Sequence, residues 1–265
     1  MEIGEGTRAL VTGASRGIGR ALAEALAARG ATVGLAARST DELDALAAAL
    51  PGSHHVLACD VTDPGSVASA VDGFIAAAGG IDLVVANAGV AIYGPFRAMD
   101  LAAIERMTKV NWLGTVYAVH AALPPLLDRA EGHIVIMSSG AGHRSFPWAA
   151  VYGATKAAQR MFGEALRHEL SGTGVSLTLV YPGEVAIALG DHERELLPDW
   201  RRGDTRSVDA GELADRVIAG VEADHRAVYF PAAVRALGVL HGLSPALSDR
   251  VLRSLRGGTA APRVD

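Results

Sequence analysis

The sequence predicts an α/β fold: a mainly parallel β-sheet with helices on both faces. Three observations predict it. Short β-branched runs alternate with alanine-rich helical stretches along most of the 265 residues. Most of those runs are continuously apolar, as strands buried on both faces are. Helix-start signals recur between them. Half of the residues are hydrophobic, enough for a sizeable core without disulfides or metals.

Taken in order, strands are expected at Arg8–Thr12, Thr32–Ala37, His55–Ala58, Leu83–Ala86, His133–Ser138, Val175–Tyr181 and Ala227–Phe230. Ser39 with Glu42, and Asp209 with Glu212, have the spacing of a capping box. Asp63-Pro64 reads as an N-cap followed by proline in the first turn. Two regions break the rhythm. Residues 184–206 are polar and irregular and suit a substrate loop. After Pro231 come Val234, Leu237, Leu240, Leu247, Val251 and Leu255 at helical spacing. That tail suits core packing or a subunit contact, with a lid or a membrane-surface element as the alternative. Both regions could sit over a site. No repeat and no low-complexity linker is present.

The formal net charge of −5 argues against nucleic acid or an anionic membrane as main partner. Cys59 is the only cysteine, so no disulfide forms within the chain. It reads as a small buried hydrophobe and fits a reducing compartment. Met1–Thr7 lacks a basic start followed by an apolar run, so no secretory leader is expected, and no run of about 18 apolar residues occurs. A cytoplasmic location is expected. The His54-His55 pair reads as structural or solvent-facing. With no Cys-x-x-Cys and no His-Glu-x-x-His, no metal is expected.

Directly after the first strand comes Thr12-Gly13-Ala14-Ser15-Arg16-Gly17-Ile18-Gly19. Glycines there permit a tight turn and let backbone amides approach a pyrophosphate, with a helix starting near Gly17. A glycine trio alone is a weak signal; between a strand and a helix it has the context the motif needs. At the end of the second strand a carboxylate would grip a ribose 2′-hydroxyl and select NAD. Here the residues are Ala36-Ala37-Arg38-Ser39. Arg38 and Arg16 could instead clamp a 2′-phosphate, so NADP(H) is favoured over NAD(H). Either arginine could also be a plain solvated charge. Asp60 is placed to bind an adenine amine, with Val61 packing on the ring, though Asp60 equally suits a turn. The small residues of Asn87-Ala88-Gly89 would let the cofactor lie near the sheet edge.

The fifth strand runs into Ser138-Ser139. Tyr152 follows Ser139 by thirteen residues, and Lys156 is four further on, one of two lysines in the chain. The i, i+4 spacing puts phenol and ammonium on one helix face. A free tyrosine, with a pKa of about 10, is a poor base at neutral pH. A nearby ammonium favours phenolate and suits the residue to acid–base work. Ser139 can hydrogen-bond a substrate oxygen.

In order and spacing, Thr12–Gly19, Asp60, Asn87-Ala88-Gly89, Asn111, Ser139, Tyr152, Lys156 and Pro182-Gly183 resemble the short-chain dehydrogenase/reductase family, over about residues 5–231. The resemblance implies a single Rossmann-like, doubly wound, seven-stranded parallel sheet. Residues 1–231 would form the dinucleotide-binding catalytic domain and 232–265 a helical extension of it. Tyr152 would be the catalytic acid/base and Lys156 would hold the nicotinamide ribose. Ser139 would orient substrate, and Asn111 would hold a water linking Lys156 to solvent. Family members commonly form homodimers or homotetramers through the helices carrying Asn111 and Tyr152. One departure stands out. After Pro182-Gly183 the family often has a threonine where this chain has Ile187, so the backbone of Val185 is left to hold the carboxamide.

Tyr93, His143 and Trp148 are the candidate substrate contacts, and with Phe146 and Pro147 they suggest an apolar substrate. His143 also suits a solvent-facing loop. The expected function is hydride transfer between NADP(H) and a carbonyl or alcohol. The alternative is a non-catalytic NADP(H) sensor or scaffold, which the presence of all four residues, Asn111, Ser139, Tyr152 and Lys156, disfavours. A sugar-nucleotide epimerase needs a longer chain and another glycine spacing.

Overall fold

The computed structural model describes residues 1–183 and 208–255, with side chains as far as Val251. The substrate loop expected at 184–206, with Val185 and Ile187, lies outside the described residues. The strands are β1 (Arg8–Thr12), β2 (Thr32–Ala37), β3 (His55–Ala58), β4 (Leu83–Ala86), β5 (Gly132–Met137), β6 (Val175–Pro182) and β7 (Ala227–Phe230). They form one parallel sheet in the order β3-β2-β1-β4-β5-β6-β7. The helices are α1 (Gly17–Ala27), α2 (Thr40–Ala49), α3 (Pro64–Ala78), α4 (Leu101–Met107), α5 (Gly114–Asp128), α6 (Ala150–Glu169), α7 (Ala210–Glu222), α8 (Ala233–Leu243) and α9 (Pro245–Leu255).

Alternate residues of each central strand enter different layers. Ala9 and Val11 of β1 pack with Leu22 and Leu26 of α1 and with Leu213 and Val217 of α7. Leu10, between them, packs with Phe74 of α3, Ala118 of α5 and Leu166 of α6. Burying a large aliphatic or aromatic side chain stabilises by about 1.5–3 kcal/mol. Because both faces are covered, the strands read as apolar throughout rather than alternating.

The caps are mixed. Asp63 accepts from the amide of Gly65 at 2.9 Å, and Asp209 from that of Glu212 at 2.9 Å. Ser39 precedes α2 but its hydroxyl makes no capping bond. Its backbone, at φ −89° and ψ 89°, departs from the extended geometry that aims a hydroxyl at first-turn amides. His54 is structural: Nδ1 accepts from the Val33 amide at 3.1 Å, which leaves the Nε2 proton to donate to the Pro51 carbonyl at 2.8 Å.

The chain winds outward from β1 to β3, then returns to β4 and winds the other way. The order therefore reverses between β1 and β4, and the loops leaving their carboxyl ends open a crevice there. Among the described residues no helix is long and apolar enough to cross a membrane.

Candidate active site

The loop after β1 is built for close approach. Gly13 and Gly17 have φ of 69° and 59°, a region that favours glycine. The amides of Gly13 and Ala14 both donate to the Ala36 carbonyl, at 2.7 and 3.2 Å, and pin the loop to the end of β2. A Cβ on Gly13 would lie 2.9 Å from Ala88 Cα, and one on Gly19 only 2.1 Å from the Gly13 carbonyl oxygen. Ser15 is half-buried and Ile18 packs partly on the core. Arg16 stands at the N-cap of α1 and supplies no side-chain cap. The first-turn amides and helix dipole therefore suit a phosphate, and the side-chain-free cradle fits a dinucleotide.

The loop after β4 is stitched to this one. The Thr12 hydroxyl donates to the Val85 carbonyl at 3.3 Å and accepts from the amides of Asn87 and Ala88 at 3.0 and 3.2 Å. Asn87 Nδ2 donates to the carbonyls of Thr12 and Gly13, at 2.9 and 3.3 Å. Asn87 is thus a brace, a role its neighbours' small size did not suggest. Gly89 is exposed, and a Cβ there would stand 3.6 Å from Lys156 Nζ.

Arg16 and Arg38 are exposed near this crevice. Asp60 forms a turn: Oδ1 accepts from the amide and the hydroxyl of Thr62 at 2.9 and 2.8 Å. The Thr62 amide holds this carboxyl below the usual range against the opposing effect of burial, and Arg38 adds to the lowering. Val61 is only 9% exposed and packs against α5, 3.0 Å from where a Cβ on Gly114 would stand. That leaves it little surface for an adenine ring.

Beyond β5, Ser138 and Ser139 are both buried. Ser138 Oγ donates to the Lys156 carbonyl at 2.8 Å. Ser139 Oγ accepts from the Ala141 amide at 3.1 Å, capping a short turn over Gly140–Gly142. Its own proton is left to donate elsewhere. A Cβ on Gly142 would lie 2.7 Å from the Lys156 carbonyl oxygen, so the turn sits directly on α6.

Helix α6 carries Tyr152, Thr155, Lys156 and Gln159. Lys156 is 4% exposed. Its Nζ donates to the Met137 carbonyl at 2.8 Å and lies 5.9 Å from the centroid of the Tyr152 ring. Burial pushes the ammonium down to about 7. Burial thus disfavours the charged form, and the Met137 carbonyl partners the amine.

Asn111 is fully buried in a π-helical turn, Thr108–Leu113, between α4 and α5. Its Oδ1 accepts from the Val90 amide at 2.8 Å. Its Nδ2 donates to the Val90 carbonyl at 2.9 Å and to Thr155 Oγ1 at 3.0 Å. Its carbonyl accepts from Thr115 Oγ1 and Gln159 Nε2, both at 2.9 Å. Thr115, Thr155 and Gln159 were not singled out from sequence. The available signal was spacing: Thr155 and Gln159 each follow Tyr152 or Lys156 by three residues on the same helix face.

The Tyr93 ring meets the Tyr152 ring edge-on at 5.5 Å and lies 5.8 Å from Phe146. Trp148 has φ 70°, and its carbonyl accepts from the Gly94 amide at 3.0 Å. His143 is held on the other side, 4.2 Å from the ring of Tyr181 and 5.5 Å from that of Tyr229. Burial, then Arg160, lowers its pKa. Pro182 ends β6 in register with Phe230, whose carbonyl accepts from the Gly183 amide at 2.7 Å.

The family model described as short chain dehydrogenase matches residues 7–196. The chain belongs to the short-chain dehydrogenase/reductase family. This oxidoreductase family includes an uncharacterized oxidoreductase of Staphylococcus epidermidis, 34% identical over 210 residues, or 79% of this chain and 88% of that one. Two solved members are similar in structure. A Burkholderia phymatum short-chain dehydrogenase/reductase in complex with NAD has a TM-score of 0.82 and 28% identity, covering 93% and 96% of the two chains. An alcohol dehydrogenase of the archaeon Thermococcus sibiricus, complexed with 5-hydroxy-NADP, has a TM-score of 0.73 and 26% identity, covering 84% and 95%. As a short-chain dehydrogenase/reductase, the protein has its seven-stranded Rossmann-like sheet accounted for.

Proposed function

We propose that the protein reduces a carbonyl, or oxidises the matching alcohol, on an apolar small molecule with NADP(H), using Tyr152 as general acid/base. The observation that carries this reading is the meeting of α6 with the end of β5. There the buried Lys156 lies 5.9 Å from the centroid of the Tyr152 ring, donates to the carbonyl of Met137 just before Ser138-Ser139, and stands 3.6 Å from where a Cβ on Gly89 would lie. The bound dinucleotide would supply or take the hydride. Tyr152 would pass a proton to, or take one from, the substrate oxygen. Lys156 would stabilise negative charge on the phenol and hold the nicotinamide ribose. Ser139 would donate its free proton to the same substrate oxygen. Asn111 would anchor the backbone beside Lys156 and hold a water on the proton path.

Gly13, Ser15, Gly17, Ile18 and Gly19 would receive the pyrophosphate. Asp60, Asn87, Ala88 and Gly89 would line the adenosine and ribose, with Val61 packed behind Asp60 and not on the ring, and Pro182, Gly183 and Val185 the carboxamide side. Arg16 and Arg38 would grip a 2′-phosphate. Support for NADP(H) is the lack of a carboxylate in Ala36-Ala37-Arg38-Ser39, at the end of β2, and the exposure of both arginines. Related structures hold NAD in one case and a derivative of NADP in another, so the scaffold admits either. Tyr93 and Trp148 would form an apolar wall against the substrate. Trp148 keeps a left-handed backbone that costs a bulky residue about 1–2 kcal/mol, which favours a functional reason for it. His143 would act from behind the Ser139 turn. A homodimer or homotetramer would form through α5 and α6, where Met161 is 61% exposed.

Tyr152→Phe should abolish NADPH consumption across a screen of ketones, aldehydes and acyl thioesters while NADPH binding stays nearly intact. Normal turnover by that variant would refute the assignment. Better catalytic efficiency with NADH than with NADPH would refute the roles of Arg16 and Arg38.

A further inference from the structure

Helices α8 and α9 meet the Ser139 turn along one seam. Val234, in the first turn of α8, stands 2.9 Å from where a Cβ on Gly140 would lie and 3.5 Å from one on Gly183. The His143 ring lies 3.3 Å from where a Cβ on Gly238 would lie, so helix and ring are in direct contact. Arg144 closes the seam. One guanidinium nitrogen donates to Asp249 of α9 and another to the carbonyl of Ser145. The amides of His143 and Arg144 both donate back to the Gly140 carbonyl, each at 3.1 Å. Arg144 and Ser139 therefore belong to one hydrogen-bonded turn.

Other polar atoms of these segments, His143 Nε2, Arg144 Nε and Ser248 Oγ, are buried with no hydrogen-bond partner among the described residues. They add no bond among the described residues to the closed seam. Apolar contact and the Arg144–Asp249 pair have to hold it.

We propose that Asp249 is a positioning residue, acting through Arg144 to hold the Ser139 turn against Lys156 and Tyr152. The proposal rests on the role given above to Ser139. Ser139 Oγ is oriented by the Ala141 amide, and Ala141 lies inside the turn that His143 terminates and whose Gly140 carbonyl also accepts from the Arg144 amide. Releasing Arg144 lets that turn shift, and the hydroxyl loses its fixed direction. The C-terminal helices thus serve as a clasp on the reaction side of the sheet.

The test uses the full chain with NADPH. The variants are Asp249→Asn, Asp249→Glu and the reversed pair Arg144→Asp with Asp249→Arg. Hydrogen exchange of the peptide covering residues 139–146 needs no substrate and decides first. Asp249→Asn should speed it about two- to fivefold, the factor a partly exposed ion pair sustains, and leave peptides from β1–β3 unchanged. With the first ketone turned over in the NADPH screen, kcat should fall by a similar factor while KM for NADPH holds. Asp249→Glu and the reversed pair should restore both. Unchanged exchange in Asp249→Asn, equal acceleration along the whole chain, or no recovery in either rescue variant would overturn the proposal. A Tyr152→Phe protein with normal turnover would sink the catalytic reading alone, since the exchange result does not depend on it.

Discussion

Gly19→Ala puts one methyl group where the structure has no space. Built on the existing backbone, the new Cβ lies 2.1 Å from the Gly13 carbonyl oxygen, 2.8 Å from the Gly13 carbonyl carbon and 2.5 Å from Asn87 Nδ2. Ordinary contact needs about 1 Å or more of movement. The oxygen cannot simply retreat, because the Gly13 amide is tied to the Ala36 carbonyl at 2.7 Å. Either the first turn of α1 moves outward or the Asn87 brace to Thr12 and Gly13 breaks. Overpacking of this kind costs about 1–3 kcal/mol, and each lost brace bond about 0.5–1.5 kcal/mol. At about 2–4 °C per kcal/mol, calorimetry should show Tm falling by roughly 4–10 °C. Fluorescence titration should show NADPH binding weakened at least about tenfold, since the displaced amides are those that would face the pyrophosphate. Gly73→Ala is the control: its Cβ meets nothing closer than 3.8 Å inside α3. That change should stabilise by about 0.4–1 kcal/mol. A Gly19→Ala protein that binds NADPH within twofold of the parent would refute the argument from the cradle.

Other outcomes follow from the buried polar network. His133 is 1% exposed and burial pushes its pKa down to about 4, against 6.5 when unfolded. The Thr178 hydroxyl spends its proton on the His225 carbonyl at 2.6 Å, so His133 donates from Nε2 at 2.8 Å and is folded as the neutral ring. The unfolded chain binds the extra proton more readily, so this stability is full above pH 6.5 and is lost as pH falls toward 4. Urea titrations should show about 2 kcal/mol more acid loss between pH 7 and pH 4.5 in the parent than in His133→Gln, and equal losses would refute it. Asn111→Leu strands the Val90 amide and carbonyl and removes a partner of Thr155. It should cost about 1–3 kcal/mol per stranded group and lower kcat as well, read by thermal melts and steady-state rates. Replacing both Arg16 and Arg38 with alanine should cut NADPH efficiency by about 10- to 150-fold per arginine at most, with NADH efficiency unchanged.

The strands were legible because parallel strands buried on both faces leave an unbroken apolar run, and β5 and β6 differ from the expected bounds by a residue at their ends. The glycine loop and the Tyr152–Lys156 pair were legible because short, fixed spacing carries both. What sequence concealed is mostly long-range. Asn87 looks like a small-residue position, yet its amide bridges to residues more than seventy positions away. Gln159 and Thr115 look like ordinary helix residues until folding brings α5 and α6 together. Asp60 carried two readings, and Thr62 two positions on takes Oδ1 for the turn. Ser39 had the right residue type for a cap, but its backbone does not aim the hydroxyl. Local chemistry announces what a residue can do; packing decides whom it meets.

The π turn at Thr108–Leu113 also limits how this lineage can change length. A wide turn takes up one residue more than a regular helix would. Each residue of an α-helix rotates the chain by about 100°. Deleting one residue there would make a continuous regular helix and swing α5 by that angle against α4. Either Asn111 would leave Val90 and Thr155, or Ala118, Val119, Ala122 and Leu126 would leave the core. Both cannot be kept. The segment should thus resist insertions and deletions as firmly as any strand of the sheet, although by its position, between two helices and partly exposed, it would pass for a stretch where chain length is free to drift.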